Sequence, residues 1–116
     1  MATAKSQLLD ALTDNEESPE DIEAIFYQPA INCETGEIED YPGWNGDLLP
    51  DPVSCTIDQL PEREFDNSFG APEGEPVIAF TRKYIYICIQ YDGSEWMEAI
   101  PRHPQYVKKP IPWPGG

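Results

Sequence analysis

The stretch Pro76–Ile100, PVIAFTRKYIYICIQYDGSEWMEAI, decides the fold. It holds the densest apolar run of the chain, Val77 to Ile89, and is rich in the β-branched and aromatic residues that fit a pleated surface. Arg82-Lys83 and Asp92-Gly93-Ser94 interrupt it with turn chemistry, so it reads as three antiparallel strands, Pro76 to Thr81, Tyr84 to Tyr91 and Glu95 to Ile100. Side chains alternate across a strand, which puts Ile85, Ile87, Ile89 and Tyr91 on one face and Tyr84, Tyr86, Cys88 and Gln90 on the other. The isoleucine face is expected to receive the helices.

Outward from this nucleus, Ala4, Leu8, Ala11 and Leu12 recur at helical spacing and predict a short amphipathic helix over Thr3 to Thr13. Ser18-Pro19-Glu20-Asp21 is the clearest helix start: a capping serine, proline at the first helical position and two acids at the positive end of the dipole. Ile22, Ile25 and Phe26 share one face of the helix it would begin, and Gln28-Pro29 would stop it. Ala30 to Asp40 reads as a hairpin turning at Gly36, and Tyr41 to Pro52 as a loop that tucks Trp44, Leu48 and Leu49 onto the core. Val53 to Ile57 fits an edge strand, and Leu60 to Glu75 returns to turn residues anchored by Phe65 and Phe69. After Pro101 comes an extended tail with Lys108-Lys109, then Pro110-Ile111-Pro112-Trp113-Pro114, where Trp113 packs on the sheet or serves a partner.

The expected class is therefore α+β: an antiparallel meander of three to five strands packed by one or two short N-terminal helices, with long proline-rich loops. The 116 residues suit a single domain, an acidic helix-and-hairpin part over 1–52 followed by the meander part over 53–116. Proline accounts for 13 of the 116 residues, about twice the usual share of roughly 5%. The N-terminus lacks the basic-then-apolar layout of a secretory signal, no run approaches the length of a membrane span, and Cys33, Cys55 and Cys88 are odd in number without a CxxC pair. A cytoplasmic protein with reduced thiols, without membrane contact, is the expectation; for a viral protein the compartment is the host cytoplasm.

The charge is lopsided. Residues 1–75 carry 19 acids against Lys5 and Arg63, a net of −17, whereas residues 76–116 carry 3 acids against 5 cations, a net of +2. Clustered Lys and Arg are what phosphate contacts need, so direct DNA or RNA binding is disfavoured. Most carboxylates must instead face water or a positively charged partner.

Leu60-Pro61-Glu62, the acidic turn ending Gly74-Glu75-Pro76-Val77, Tyr91-Asp92-Gly93 with Trp96 after it, and the closing proline-and-tryptophan segment together resemble a short domain common in phage and prophage accessory genes. The resemblance spans Cys55 to Pro114, about half the chain. It departs at Cys55-Thr56-Ile57, where the family has an aromatic opener, and in the long Phe65 to Pro72 insertion. That family carries no established activity, so the resemblance implies a mobile-element origin and not a mechanism.

Glu34, Glu37, Glu39 and Asp40 around a glycine turn offer oxygen ligands, but their spacing is not that of the twelve-residue calcium loop, and no metal or cofactor is expected. His103, the single histidine, sits between Arg102 and Pro104 in a loop, and no cysteine lies in a nucleophile turn, so an enzyme is not expected. Tyr84, Tyr86 and Trp96 form an interface-type aromatic face on the sheet, unless the loops from Trp44 to Phe69 cover it. Acidic mimicry carries more weight: about 34 Å of duplex, the span of a small domain, presents on the order of 20 phosphates, and the chain has 22 carboxylates. The expected function is a non-enzymatic, phage-derived inhibitor or modulator of a host nucleic-acid-handling or defence protein, an anti-defence DNA mimic. Its expected contacts are Glu16, Glu17, Glu20, Asp21, Glu23, Glu34, Glu37, Glu39 and Asp40, with Tyr84, Tyr86, Trp96 and Trp113. The alternative is a structural component of a virion or other assembly using the aromatic and proline-rich surfaces.

Overall fold

The computed structural model describes residues 2–29, 51–62, 64, 75–91 and 94–107. They build one helix, α1 (Ala4–Asp14), and a five-stranded antiparallel sheet of β1 (Ile22–Tyr27), β2 (Val53–Cys55), β3 (Val77–Thr81), β4 (Tyr84–Tyr91) and β5 (Ser94–Pro101). The order across the sheet is β2-β1-β3-β4-β5, so β3, β4 and β5 form the meander while β2 and β5 lie at the edges. The expected hairpin over 30–40, most of the loop over 41–52, Phe65, Phe69 and the tail beyond Val107 lie outside the described residues.

Helix α1 starts and ends for local reasons. Thr3 Oγ1 accepts the Ser6 N–H at 3.0 Å and Ser6 Oγ accepts the Thr3 N–H at 2.9 Å, a reciprocal cap. At the other end the Glu16 N–H donates to Thr13 O and the Glu17 N–H to Leu12 O. Glu16 there takes φ 59°, the left-handed position that usually holds glycine in this helix ending. The reversal turns the chain back toward the sheet, and Leu8 and Leu12 on the inner face are 0% exposed. Each contributes roughly 1.5–3 kcal/mol by leaving water.

Two expectations are corrected. Ser18-Pro19-Glu20-Asp21 does cap, with the Asp21 carboxylate accepting the Ser18 N–H at 2.8 Å, but the helix stops after the single 3-10 turn Pro19–Asp21. Ile22 to Tyr27 is then strand β1, paired with β2 on one side and β3 on the other. A helix between Ser18 and Pro29 would be too short to hold itself together, whereas Ile-Glu-Ala-Ile-Phe-Tyr suits a strand that is hydrogen-bonded on both sides. A bulge between Ile22 and Ala24 shifts the register and re-aims Glu23, whose carboxylate accepts from Arg102 at 3.2 Å.

The second correction concerns the sheet faces. It is the tyrosine face, not the isoleucine face, that receives α1: Leu8, Leu12, Ile25, Val77, Ala79, Tyr84, Tyr86 and Met97 form one buried cluster. In register, Tyr86 lies between Ala79 and Ala99, so one large side chain flanked by two small ones leaves a trough for a helix. Ile78, Phe80, Ile85 and Ile87, on the opposite face, are absent from that cluster.

The edge strand expected over Val53 to Ile57 is present for its first three residues. A 3-10 turn, Ile57–Gln59, then carries Leu60 into the core, and its Asp58 accepts from Lys5 on α1 at 2.7 Å.

Candidate interaction groove

A groove of about 950 Å³ runs between α1, the outer edge of β5 and the 3-10 turn Pro104–Tyr106. On α1, Gln7, Asp10, Ala11 and Asp14 lie three and four residues apart, so they form one stripe beside the buried Leu8 and Leu12. Asp10, Asp14 and Glu16 are exposed along this rim. Glu95 and Glu98 add two half-buried carboxylates from β5. Met97 and Ala99 contribute apolar floor, and Trp96 and Ile100 project from the other face of the strand.

Hydrogen bonds fix the walls. Gln7 Nε2 donates to the Glu95 carbonyl at 2.9 Å, tying the helix to the start of β5. Trp96 Nε1 donates to Glu98 Oε1 at 2.8 Å, which holds the indole against its neighbour's carboxylate. The cation closing one end is already engaged, since Arg102 Nη1 donates to Thr81 O at 2.7 Å and to Glu23 at 3.2 Å. His103 packs edge-on against Tyr106, with ring centroids 6.0 Å apart. The groove thus gathers carboxylates from the helix and from both faces of β5, Glu95 on the face of α1 and Glu98 on the other, beside a guanidinium bonded to Thr81 and Glu23.

The expected contact residues divide. Glu16, Glu20, Asp21 and Glu23 are exposed. Glu17 instead turns inward, its Oε1 accepting from Tyr86 OH at 2.6 Å and from Thr81 Oγ1 at 2.9 Å. Tyr84 and Tyr86 are 6% and 0% exposed; they lie under α1 and form no open aromatic face. Burial, then the hydrogen bond and the negative charge of Glu17, push the Tyr86 phenol well above its ordinary range. Trp96 is half-buried on the groove, while Glu34, Glu37, Glu39, Asp40 and Trp113 lie outside the described residues.

Asp10, Asp14, Glu95 and Glu98 had not been singled out from the sequence. The helical stripe Gln7-Asp10-Asp14 is a local signal, but only the fold brings it together with residues more than 80 positions away in one groove lining.

Among the described residues no group of three or more His, Cys, Asp and Glu side chains is placed to hold a metal ion. Nor is any described helix long and apolar enough to cross a membrane. Partial burial raises the Cys55 thiol; Cys88 is exposed as a residue, and desolvation of its Sγ against the Val77 backbone raises its thiol. The chain matches no protein-family model, no curated protein and no solved structure.

Proposed function

We propose that this chain is a non-enzymatic acidic binding domain that engages a positively charged protein. The observation that carries the reading is the groove, whose lining gathers Asp10, Asp14 and Glu16 with Glu95 and Glu98, while the nearby Arg102 is already bonded to Thr81 and Glu23. Negative charge concentrated along a concave surface steers a cationic partner over the Debye distance and sets its orientation. Proteins that handle nucleic acids carry the complementary basic surfaces, so a host enzyme of that class or a defence protein is the proposed target. Inhibition by occupying its phosphate-binding groove is the proposed action, with a phage origin as its setting and the host cytoplasm as its place.

The test compares the wild-type chain with D10K/D14K/E16K, each immobilised and exposed to host extract at ~50 mM salt, then eluted by salt rising past a Debye length of about 5 Å. Basic nucleic-acid-binding proteins should elute from the wild type as salt rises and be missing from the variant. Acidic partners, or retention indifferent to both salt and charge reversal, contradict the reading.

The isoleucine face supports a second reading, a structural component of an assembly, because Ile78 and Ile100 are 36% and 39% exposed there, although Ile89 is buried. In that case Trp96→Ala abolishes assembly while D10K/D14K/E16K leaves it intact.

A further inference from the structure

We infer that the groove takes an extended segment of the partner, basic and apolar at alternate positions, which adds as a sixth strand along Met97 to Pro101, on the edge of β5 that pairs with no other strand among the described residues. The inference rests on the acidic-binding reading above and adds the mode of recognition.

The phase of β5 is set by one hydrogen bond, Arg102 N–H to Lys83 O at 2.8 Å. In an antiparallel ladder a residue directs its N–H and C=O to the same side, and the side alternates along the strand. Arg102, Ile100, Glu98 and Trp96 therefore face β4, and Glu95, Met97, Ala99 and Pro101 direct their backbone groups outward. The Gln7 amide confirms this phase by reaching the Glu95 carbonyl from outside the sheet. Pro101 fits it too, since a proline in a strand is tolerated where its missing N–H faces away from the ladder. Between these two ends β5 pairs only with β4 in the described sheet, so Met97 and Ala99 offer two donors and two acceptors to the groove. A row of such groups is a template for another chain.

The side chains define what that chain carries. On the face that bears Met97 and Ala99, an added strand lies beside α1, against Asp10, Asp14 and Glu16. Its residues on that side are Lys or Arg. On the opposite face it lies beside Trp96 and Ile100, with Glu98 between them held by the Trp96 indole, and aliphatic or aromatic side chains fit against the indole and the isoleucine. At about 3.3 Å per residue, the edge from Met97 to Pro101 accommodates roughly five residues.

The probe is a synthetic heptapeptide alternating Lys and Val, titrated into the full chain and followed by amide chemical shifts and hydrogen exchange. Three comparisons accompany it: the same peptide N-methylated at alternate amides, the D10N/D14N variant, and the full chain alone at rising concentration. The inference expects slowed exchange at Met97 and Ala99 on binding, about tenfold or greater loss of affinity on N-methylation, and about three- to tenfold loss in D10N/D14N. N-methylation alters the peptide and not the protein, so its result does not depend on the variant folding. Equal binding of the N-methylated peptide together with weakened binding to D10N/D14N overturns strand addition while leaving the acidic-binding reading standing. Binding indifferent to both overturns the two together. Slowed exchange at Met97 and Ala99 that grows with protein concentration and without peptide also overturns the inference, making a second copy the occupant.

Discussion

The two faces of the sheet are both apolar, yet one is sealed by α1 and the other only in part, at Ile89, which is 6% exposed. Beneath α1, Tyr86, Ala79 and Thr81 are 0% exposed, whereas across the sheet Ile78 retains 36% of its surface. Hydrophobicity alone does not separate them, since the face with more isoleucine is the more open. What separates them is relief and satisfied polarity: alanines flank Tyr86, and the Schellman ending of α1 delivers Glu17 to the Tyr86 hydroxyl that burial would otherwise strand, and to Thr81 Oγ1 beside it. The same helix carries one rim of the acidic groove, so sealing the core and presenting charge are coupled in a single element.

The largest expected effect breaks the contrast at its centre. Leu12→Ala should destabilise the chain by about 2–5 kcal/mol in urea unfolding, while Ile78→Ala on the open face should cost about 1 kcal/mol or less. Equal losses would mean that the faces are equally sealed.

Next comes the polar lock. Glu17→Ala leaves the buried Tyr86 hydroxyl without its acceptor, while Thr81 Oγ1 keeps the Tyr84 backbone as partner, and should cost about 1–3 kcal/mol, with Tyr86→Phe smaller because it removes the buried group instead of orphaning it. The lock also carries a pH signature. The folded phenol holds its proton more tightly than the unfolded one, so its stabilisation is full below about pH 10, the unfolded value, and is lost progressively as pH rises above it. Unfolding midpoints should fall on the alkaline side at up to about 1.4 kcal/mol per pH unit, less steeply in Tyr86→Phe.

A smaller effect sharpens the role of the helix ending. Glu16→Gly removes a Cβ from a left-handed position and should raise stability by about 0.5–1 kcal/mol, read as a higher urea midpoint. Smallest of all, Lys5→Met breaks an exposed ion pair with Asp58 and should change stability by about 0.5 kcal/mol or less.

How much of this was legible in the residues depended on range. The first helix was, because its cap and apolar stripe are local; so was the meander, because its alternation and turns are local. β1 was hidden by an honest signal: Ser18-Pro19-Glu20-Asp21 does form a capped turn, but the next six residues find better partners in β2 and β3. The faces were misassigned because alternation says which residues share a side and not which side a helix can enter. The acid-rich front of the chain was plain to see, yet Glu17 turned inward, and the rim residues Glu95 and Glu98 come from the half whose net charge is positive.

The coupling of core and charge comes down to the affinity of the Lys-Val heptapeptide for the full chain as salt rises from ~50 to ~300 mM. The account predicts a fall of about tenfold or more, with a shallower fall in D10N/D14N; an affinity that holds steady across that range in both proteins would contradict it.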